Sequence, residues 1–138
     1  MVNIKARALI LKENKVFLLK THNYILPGGT LESWETITET FYREMLEETW
    51  VNAIIDRFLW FAEYFNSKNE LSLEYIFLVK NTCDFENILI ENCSHWFEWD
   101  EAWFYEIEEI IAKKLDVPKH LFDLIEKAKN WWNFSLLI

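Results

Sequence analysis

Arg43-Glu44-Met45-Leu46-Glu47-Glu48 follows the Leu26-Pro27-Gly28-Gly29 turn at a fixed interval, and that spacing decides how the chain is read. The run is Gly29, five residues, Glu35, seven residues, Arg43-Glu44-Met45, one residue, Glu47-Glu48, one residue, Trp50-Val51. On a helix, positions i, i+3 and i+4 share a face, so Glu44, Glu47 and Glu48 project side by side and Arg43 flanks Glu47 at i+4. Three carboxylates on one face repel each other. A hard divalent cation relieves that repulsion, and Mg²⁺ with oxygen ligands, shared with substrate phosphates, is the natural guest. The plain alternative is a solvated acidic stripe, the usual meaning of a charge run on a helix.

The turn and the interval separate the two readings. The pattern resembles the Nudix box of the Nudix hydrolases: every element is present except the closing glycine, where this chain has Trp50. The box spans Gly29 to Val51, about a sixth of the chain. Many family members also carry a glycine just before the first glutamate, where Trp34 stands here. Trp50 falls where the helix ends, a position that often needs the left-handed backbone glycine adopts freely. Strained termination, or a loop remodelled around two large aromatics, is therefore expected.

The resemblance implies an α/β or α+β fold, a mixed β-sheet sandwiched between α-helices, in one domain over residues 1–138. It implies a Mg²⁺-dependent pyrophosphohydrolase, with Mn²⁺ as a possible substitute. The substrate would be a nucleoside diphosphate linked to another group: a nucleoside triphosphate, ADP-ribose or a nucleotide sugar. Position by position, Glu44, Glu47 and Glu48 become metal ligands, joined by the Gly29 carbonyl. Glu35 and Arg43 become a paired carboxylate and guanidinium that hold loop against helix. The general base comes from Glu47, Glu91, Glu98 or Asp100, and Glu47 is preferred because the motif fixes its place. Tyr24 and Glu35 are candidates for the substrate side, and Trp34, Trp60, Phe61 or Tyr64 for stacking on a base. Large aromatics also serve as core, which is their commoner use. A nucleotide-binding or regulatory module that holds its ligand without cleaving it is the competing function.

Composition excludes several other classes. With 138 residues, 51% of them hydrophobic and 17% aromatic, the chain has ample material for one core and none of the signature of disorder. A net charge of −9 argues against nucleic acid as the main partner, because phosphate backbones need a basic footprint. Ala6 to Leu11 is too short an apolar run for a signal peptide, and no run approaches the roughly 20 residues of a membrane span. Cys83 and Cys93 read as free thiols, and the cytoplasm is the expected compartment. His22, His95 and His120 have no zinc-like spacing, and Gly28 and Gly29 are the only glycines, which rules out a P-loop.

Along the chain, Val2 to Leu11 and Lys15 to Lys20 read as an opening β-hairpin around Lys12-Glu13-Asn14. Tyr24 to Leu26 is a short extended piece, and a helix follows from about Glu35 to Glu48 with Phe41 and Met45 as its buried side. Val51 to Asn66 and Leu71 to Lys80 form a second hairpin. Asn81 to Ser94 reads as a loop with a short strand, and His95 to Trp99 as a further strand. Helices are expected from about Ala102 to Lys114 and from Pro118 to Asn130, Pro118 fitting a first turn. The apolar tail, Trp131-Trp132-Asn133-Phe134 and beyond, either packs on the domain or covers a contact in a homodimer.

Overall fold

The structure is a computed structural model that describes residues 2–88 and 100–136, with side chains described to residue 130. The apolar alternation of the opening residues makes β-structure, but not one hairpin. β1 (Asn3–Leu9) breaks at Ile10, and β2 (Leu11–Lys12) starts in a different sheet. Among the described residues, the first sheet has the order β5-β1-β7-β6, with β5 at Gly28–Thr30, β6 at Ile55–Phe65 and β7 at Leu71–Val79. It is mixed: β1 runs parallel to β7, while β5 on β1 and β6 on β7 are antiparallel. The second sheet is built on β3 (Lys15–Lys20), which pairs with β2, with β4 (Tyr24–Ile25) and with β8 (Glu101–Glu106).

Strand residues alternate between two cores, as a period of two requires. Ala6, Ala8, Phe17, Leu19 and Phe77 face the first core, where Phe41 and Met45 of helix α1 (Ile37–Thr49) complete it. Leu9, Val16, Leu18 and Ile76 face the second, which is closed by Ile110 of α2 (Ile107–Ala112) and by Leu121, Leu124 and Ile125 of α3 (Leu121–Leu136). The sheets thus lie between α1 and the pair α2 and α3, the sandwich expected from the sequence. No helix of the described residues is long and apolar enough to cross a membrane.

Two further expected elements are corrected. Residues 101–106 are a strand rather than the start of a helix, with Ala102 and Phe104 buried and Glu101 and Trp103 exposed. The full-length register with β3 decides this stretch: pairing outweighs the local helical spacing. Pro118 precedes α3 and accepts the Leu121 backbone N–H, so it stands in the turn before the helix. A 3₁₀ turn at Thr82–Phe85 follows β7, and the strands expected within Asn81–Ser94 and at His95 to Trp99 involve residues 89–99, outside the described residues.

Helix α1 starts two residues after Glu35 because Thr36 caps it. The Thr36 hydroxyl accepts from the Glu39 N–H at 3.2 Å, and the Glu39 carboxylate accepts from the Thr36 N–H at 3.1 Å, a reciprocal capping box. Its other end is Trp50, in the left-handed region at φ 61° with its N–H donated to the Leu46 carbonyl. A Cβ in that region costs about 1 kcal/mol or more. Trp34, the other tryptophan in place of glycine, is outside the left-handed region and carries no such strain. The Trp50 side chain is 61% exposed, so little burial offsets the strain. Replacing Trp50 with glycine is therefore expected to raise the melting temperature by about 3 °C, the equivalent of about 1 kcal/mol in a domain of this size. An unchanged or lower melting temperature in calorimetry counts against strain.

Candidate active site

Arg43 organises the site. Its five N–H donors meet five acceptors, the full capacity of a guanidinium. Nε and Nη2 grip the two oxygens of Glu35 at 2.6 and 2.9 Å, and Nη2 also donates to the Thr30 carbonyl at 3.1 Å. Nη1 donates to Glu44 at 2.8 Å and to Glu47 at 3.2 Å. One side chain therefore ties the loop before α1 to two of the helix carboxylates. Glu35 accepts further bonds from the Thr40 hydroxyl and the Glu32 N–H, both at 3.0 Å. These bonds, the Arg43 pair first among them, hold the Glu35 carboxyl down from 4.5 to about 2, and Glu35 in turn raises the Arg43 guanidinium further above its ordinary value.

Glu48 is 5% exposed, and its Oε1 accepts the Gly28 N–H at 2.6 Å. That bond brings the Leu26-Pro27-Gly28-Gly29 turn onto α1. Gly28 is required there: at φ 146° a Cβ would stand 1.9 Å from the Ala6 carbonyl oxygen. A Cβ on Gly29 would instead meet the Glu44 carboxyl at 2.3 Å, so that glycine leaves space for a functional group rather than for the backbone. Glu44 is half-buried, and burial pushes its carboxyl above the ordinary value against the opposing pull of Arg43.

Glu44, Glu47, Glu48, Gly28, Gly29 and Glu32 line one open cavity of about 500 Å³. The sequence pattern therefore does place its acids around a common space. Among the described residues no three acidic, histidine or cysteine side chains stand in an arrangement ready to hold a metal. Arg43 donates to one oxygen each of Glu44 and Glu47, and the Gly28 N–H to one of Glu48.

Other candidates are distributed differently. Tyr24 is not among the cavity residues; its ring packs edge-on against Tyr105 at 5.1 Å, beside the second core, because β4 pairs with β3 there. Glu35 also lies off the cavity lining, its oxygens engaged as described. Asp100 is outside the lining, and Glu91 and Glu98 lie outside the described residues. Trp34 is 77% exposed and, like Trp50, absent from the cavity. Trp60 and Phe61 stack on each other at 5.9 Å and line a separate cavity against α3. One residue beside the carboxylates escapes the sequence reading altogether. Arg7 enters this cavity from β1, paired with Glu74 of β7 at 2.7 Å. The only sequence signal for it is a charged residue between Ala6 and Ala8 in an otherwise apolar strand.

The family model described as NUDIX domain matches residues 2–126. The chain belongs to the NUDIX family. Membership makes it a hydrolase acting on pyrophosphate bonds. No curated protein matches the sequence. Among solved structures, a NUDIX hydrolase from Nitrosomonas europaea aligns with TM-score 0.74 at 20% identity, over 94% of this chain and 89% of that one. The MutT NUDIX hydrolase from Burkholderia pseudomallei aligns with TM-score 0.70 at 14% identity, over 92% and 98%. The NUDIX domain of Shewanella oneidensis NrtR, complexed with ADP ribose, aligns with TM-score 0.68 at 15% identity, over 96% and 88%. At these identities the likeness is one of fold.

Two outcomes follow for this Nudix site. Gly28→Ala collides with backbone and is expected to prevent folding, whereas Gly29→Ala meets only the end of a flexible side chain. The second variant should keep its circular dichroism spectrum and lose at least tenfold in activity as the Glu44 carboxylate is displaced, an order of magnitude set by losing about 1.4 kcal/mol of positioning. The Glu35 carboxyl, depressed when folded, contributes stability that is present above 4.5 and lost as pH falls toward about 2. Glu35→Gln should therefore melt below the parent protein at neutral pH, with the gap closing as pH falls through that window. A gap that stays constant down to pH 2 would show that the Glu35 pair contributes nothing by ionisation.

Proposed function

We propose that this Nudix hydrolase cleaves the diphosphate of a nucleoside diphosphate linked to another group, with Mg²⁺, or Mn²⁺ in its place, held by Glu44, Glu47, Glu48 and the Gly29 carbonyl. The observation that carries the reading is the shared lining of one open cavity by these residues. An all-oxygen donor set of three carboxylates and a carbonyl suits a hard divalent cation. The raised Glu44 carboxyl is the counterpart: a buried negative charge that a cation would compensate. When bound, the cation neutralises the diphosphate and makes a bound water more acidic.

The protein's own residues would do the rest. Arg43, with its donors occupied, orients Glu44 and Glu47 rather than gripping substrate. Glu47 is the general base in this reading. Its side chain is 30% exposed against 14% for Glu44, and a base must reach the water it deprotonates. Neither Trp34 nor Trp50 lines the cavity, which favours turnover over a blocked, binding-only module.

The test is phosphate or monophosphate release from nucleoside triphosphates, ADP-ribose and nucleotide sugars with Mg²⁺ or Mn²⁺. Glu48→Gln should abolish metal-dependent turnover and also the rise in melting temperature that the metal gives the parent protein. Glu47→Gln should lower kcat by about 10²- to 10⁴-fold, the usual contribution of general acid–base catalysis. An unchanged kcat there removes Glu47 as the base. Tight nucleotide binding without turnover makes the chain a sensing module. Light scattering after size exclusion decides whether it forms a homodimer.

A further inference from the structure

The Leu26-Pro27-Gly28-Gly29 turn carries both glycines of the chain side by side, and glycine has the freest backbone of any residue. In the proposed hydrolase its last carbonyl, that of Gly29, is a metal ligand. A ligand on so free a backbone needs bonds from outside the turn to set it in place. Two consecutive residues of β1 supply them. The Ala8 N–H donates to the Pro27 carbonyl at 2.9 Å, and Arg7 Nη1 donates to the carbonyls on either side, Leu26 at 3.1 Å and Gly28 at 3.2 Å. Pro27 has no N–H to offer, and the Gly28 N–H goes to Glu48 at 2.6 Å. Gly28 is thus pinned through both its polar groups, by Arg7 from β1 and by Glu48 from α1.

Arg7 is itself held. Its Nε donates to the Glu74 carboxylate at 2.7 Å, and the two side chains are 15% and 17% exposed. Glu74 lies two positions along β7 from Ile76, the register partner of Arg7, so the two form a diagonal pair between neighbouring strands. Such a pair is complete with that one bond. It does not call for the other arm of the guanidinium to cross to a third element and take two carbonyls of the turn. The planar fork links the two functions: its nitrogens are fixed relative to one another, so the carboxylate that orients Nε also orients Nη1. A lysine would carry the charge and lose that geometry.

Resting on the hydrolase reading for the role of the Gly29 carbonyl, we infer that Arg7 is a positioning residue of the metal site: its guanidinium, anchored by Glu74, fixes the Gly28–Gly29 peptide relative to Glu48 before any cation arrives. A peptide unit is planar, so holding the Gly28 carbonyl sets the plane that ends at the Gly29 nitrogen. Only the torsions of Gly29 itself then remain to place its carbonyl. A donor set ordered in advance loses less freedom when its ligand binds. The hold runs from Glu74 of β7 through Arg7 of β1 to the turn that enters β5, and from there to Glu48 on α1.

The test compares the parent protein with Arg7→Lys, which keeps the charge and loses the fork, and with Glu74→Gln, which touches no atom of the turn and loosens only the anchor. The second variant decides the matter if the first does not fold. Three readouts are taken: substrate-free affinity for Mn²⁺ or Mg²⁺ by calorimetry, hydrogen exchange of the Gly28 amide by NMR, and KM against kcat for a nucleoside triphosphate or ADP-ribose at saturating metal. Glycine labelling gives two amide signals, those of Gly28 and Gly29, and methionine labelling adds Met45 in α1 as the control. Arg7→Lys is expected to weaken metal binding about tenfold and to quicken Gly28 exchange by a similar factor, as loss of one charge-assisted bond predicts, with Met45 unchanged. Glu74→Gln should do the same by a smaller factor, and in both kcat should fall while KM stays near that of the parent. Parent-like metal affinity and Gly28 exchange in both variants overturns the inference. A raised KM with both of those unchanged overturns it too, since Arg7 would then grip substrate directly. If the parent binds no metal while Gly28 exchange quickens in both variants, the metal reading of the site fails and the hold of Arg7 on the turn stands.

Discussion

The five-fold engagement of Arg43 is the constraint on which the site depends. A short loop and a helix must be held in register before three carboxylates can face one space, and a single guanidinium does both. Its fork holds Glu35 on the loop, and its remaining nitrogen reaches Glu44 and Glu47 on the helix. Lysine carries the same charge but lacks the planar fork, so it could hold one of these partners and not all. Glu48 closes the arrangement from the other side through the Gly28 N–H.

That organisation is kept against local costs. Glu44 is half-buried beside another carboxylate, and burial first, the neighbouring charge second, weakens its acidity. Trp50 ends the helix in a backbone region that suits glycine. The chain keeps only two glycines and uses both in the turn: one where backbone meets backbone, the other where it makes room for the Glu44 carboxyl. The large core on either side of the sheets supplies the stability that such a site spends. Phe41 and Met45, both essentially inaccessible, anchor α1 through a face that adjoins its acids and shares buried Glu48, and truncating either would cost about 2–5 kcal/mol.

The box was legible because its spacing is fixed: Arg43 to Glu48 lie within two helical turns, where spacing translates directly into a shared face, and Gly29 and Glu35 precede them at set intervals. The sandwich was legible for a similar reason, since alternating and helical apolar patterns mark their own elements. Residues 101–106 were misread because a run rich in aromatics fits either period, and only the edge of β3 selects the strand. The opening hairpin was misread because a continuous apolar run does not show where one sheet hands over to another.

Sequence alone therefore determined the family motif, the helix that carries Glu44, Glu47 and Glu48, and the turn that faces it, because the helix rests on contacts three and four residues apart and the motif fixes the interval between helix and turn. Tertiary structure decided which other side chains join them. Tyr24 was turned to the second core, the two tryptophans stayed outside the cavity, and Arg7 was brought beside Glu44 from 37 positions away. That last placement follows from the pairing of β5 with β1 and of β1 with β7, which are long-range hydrogen-bond registers. No local pattern encodes such a register, because it is set by how two distant strands bury their apolar faces together.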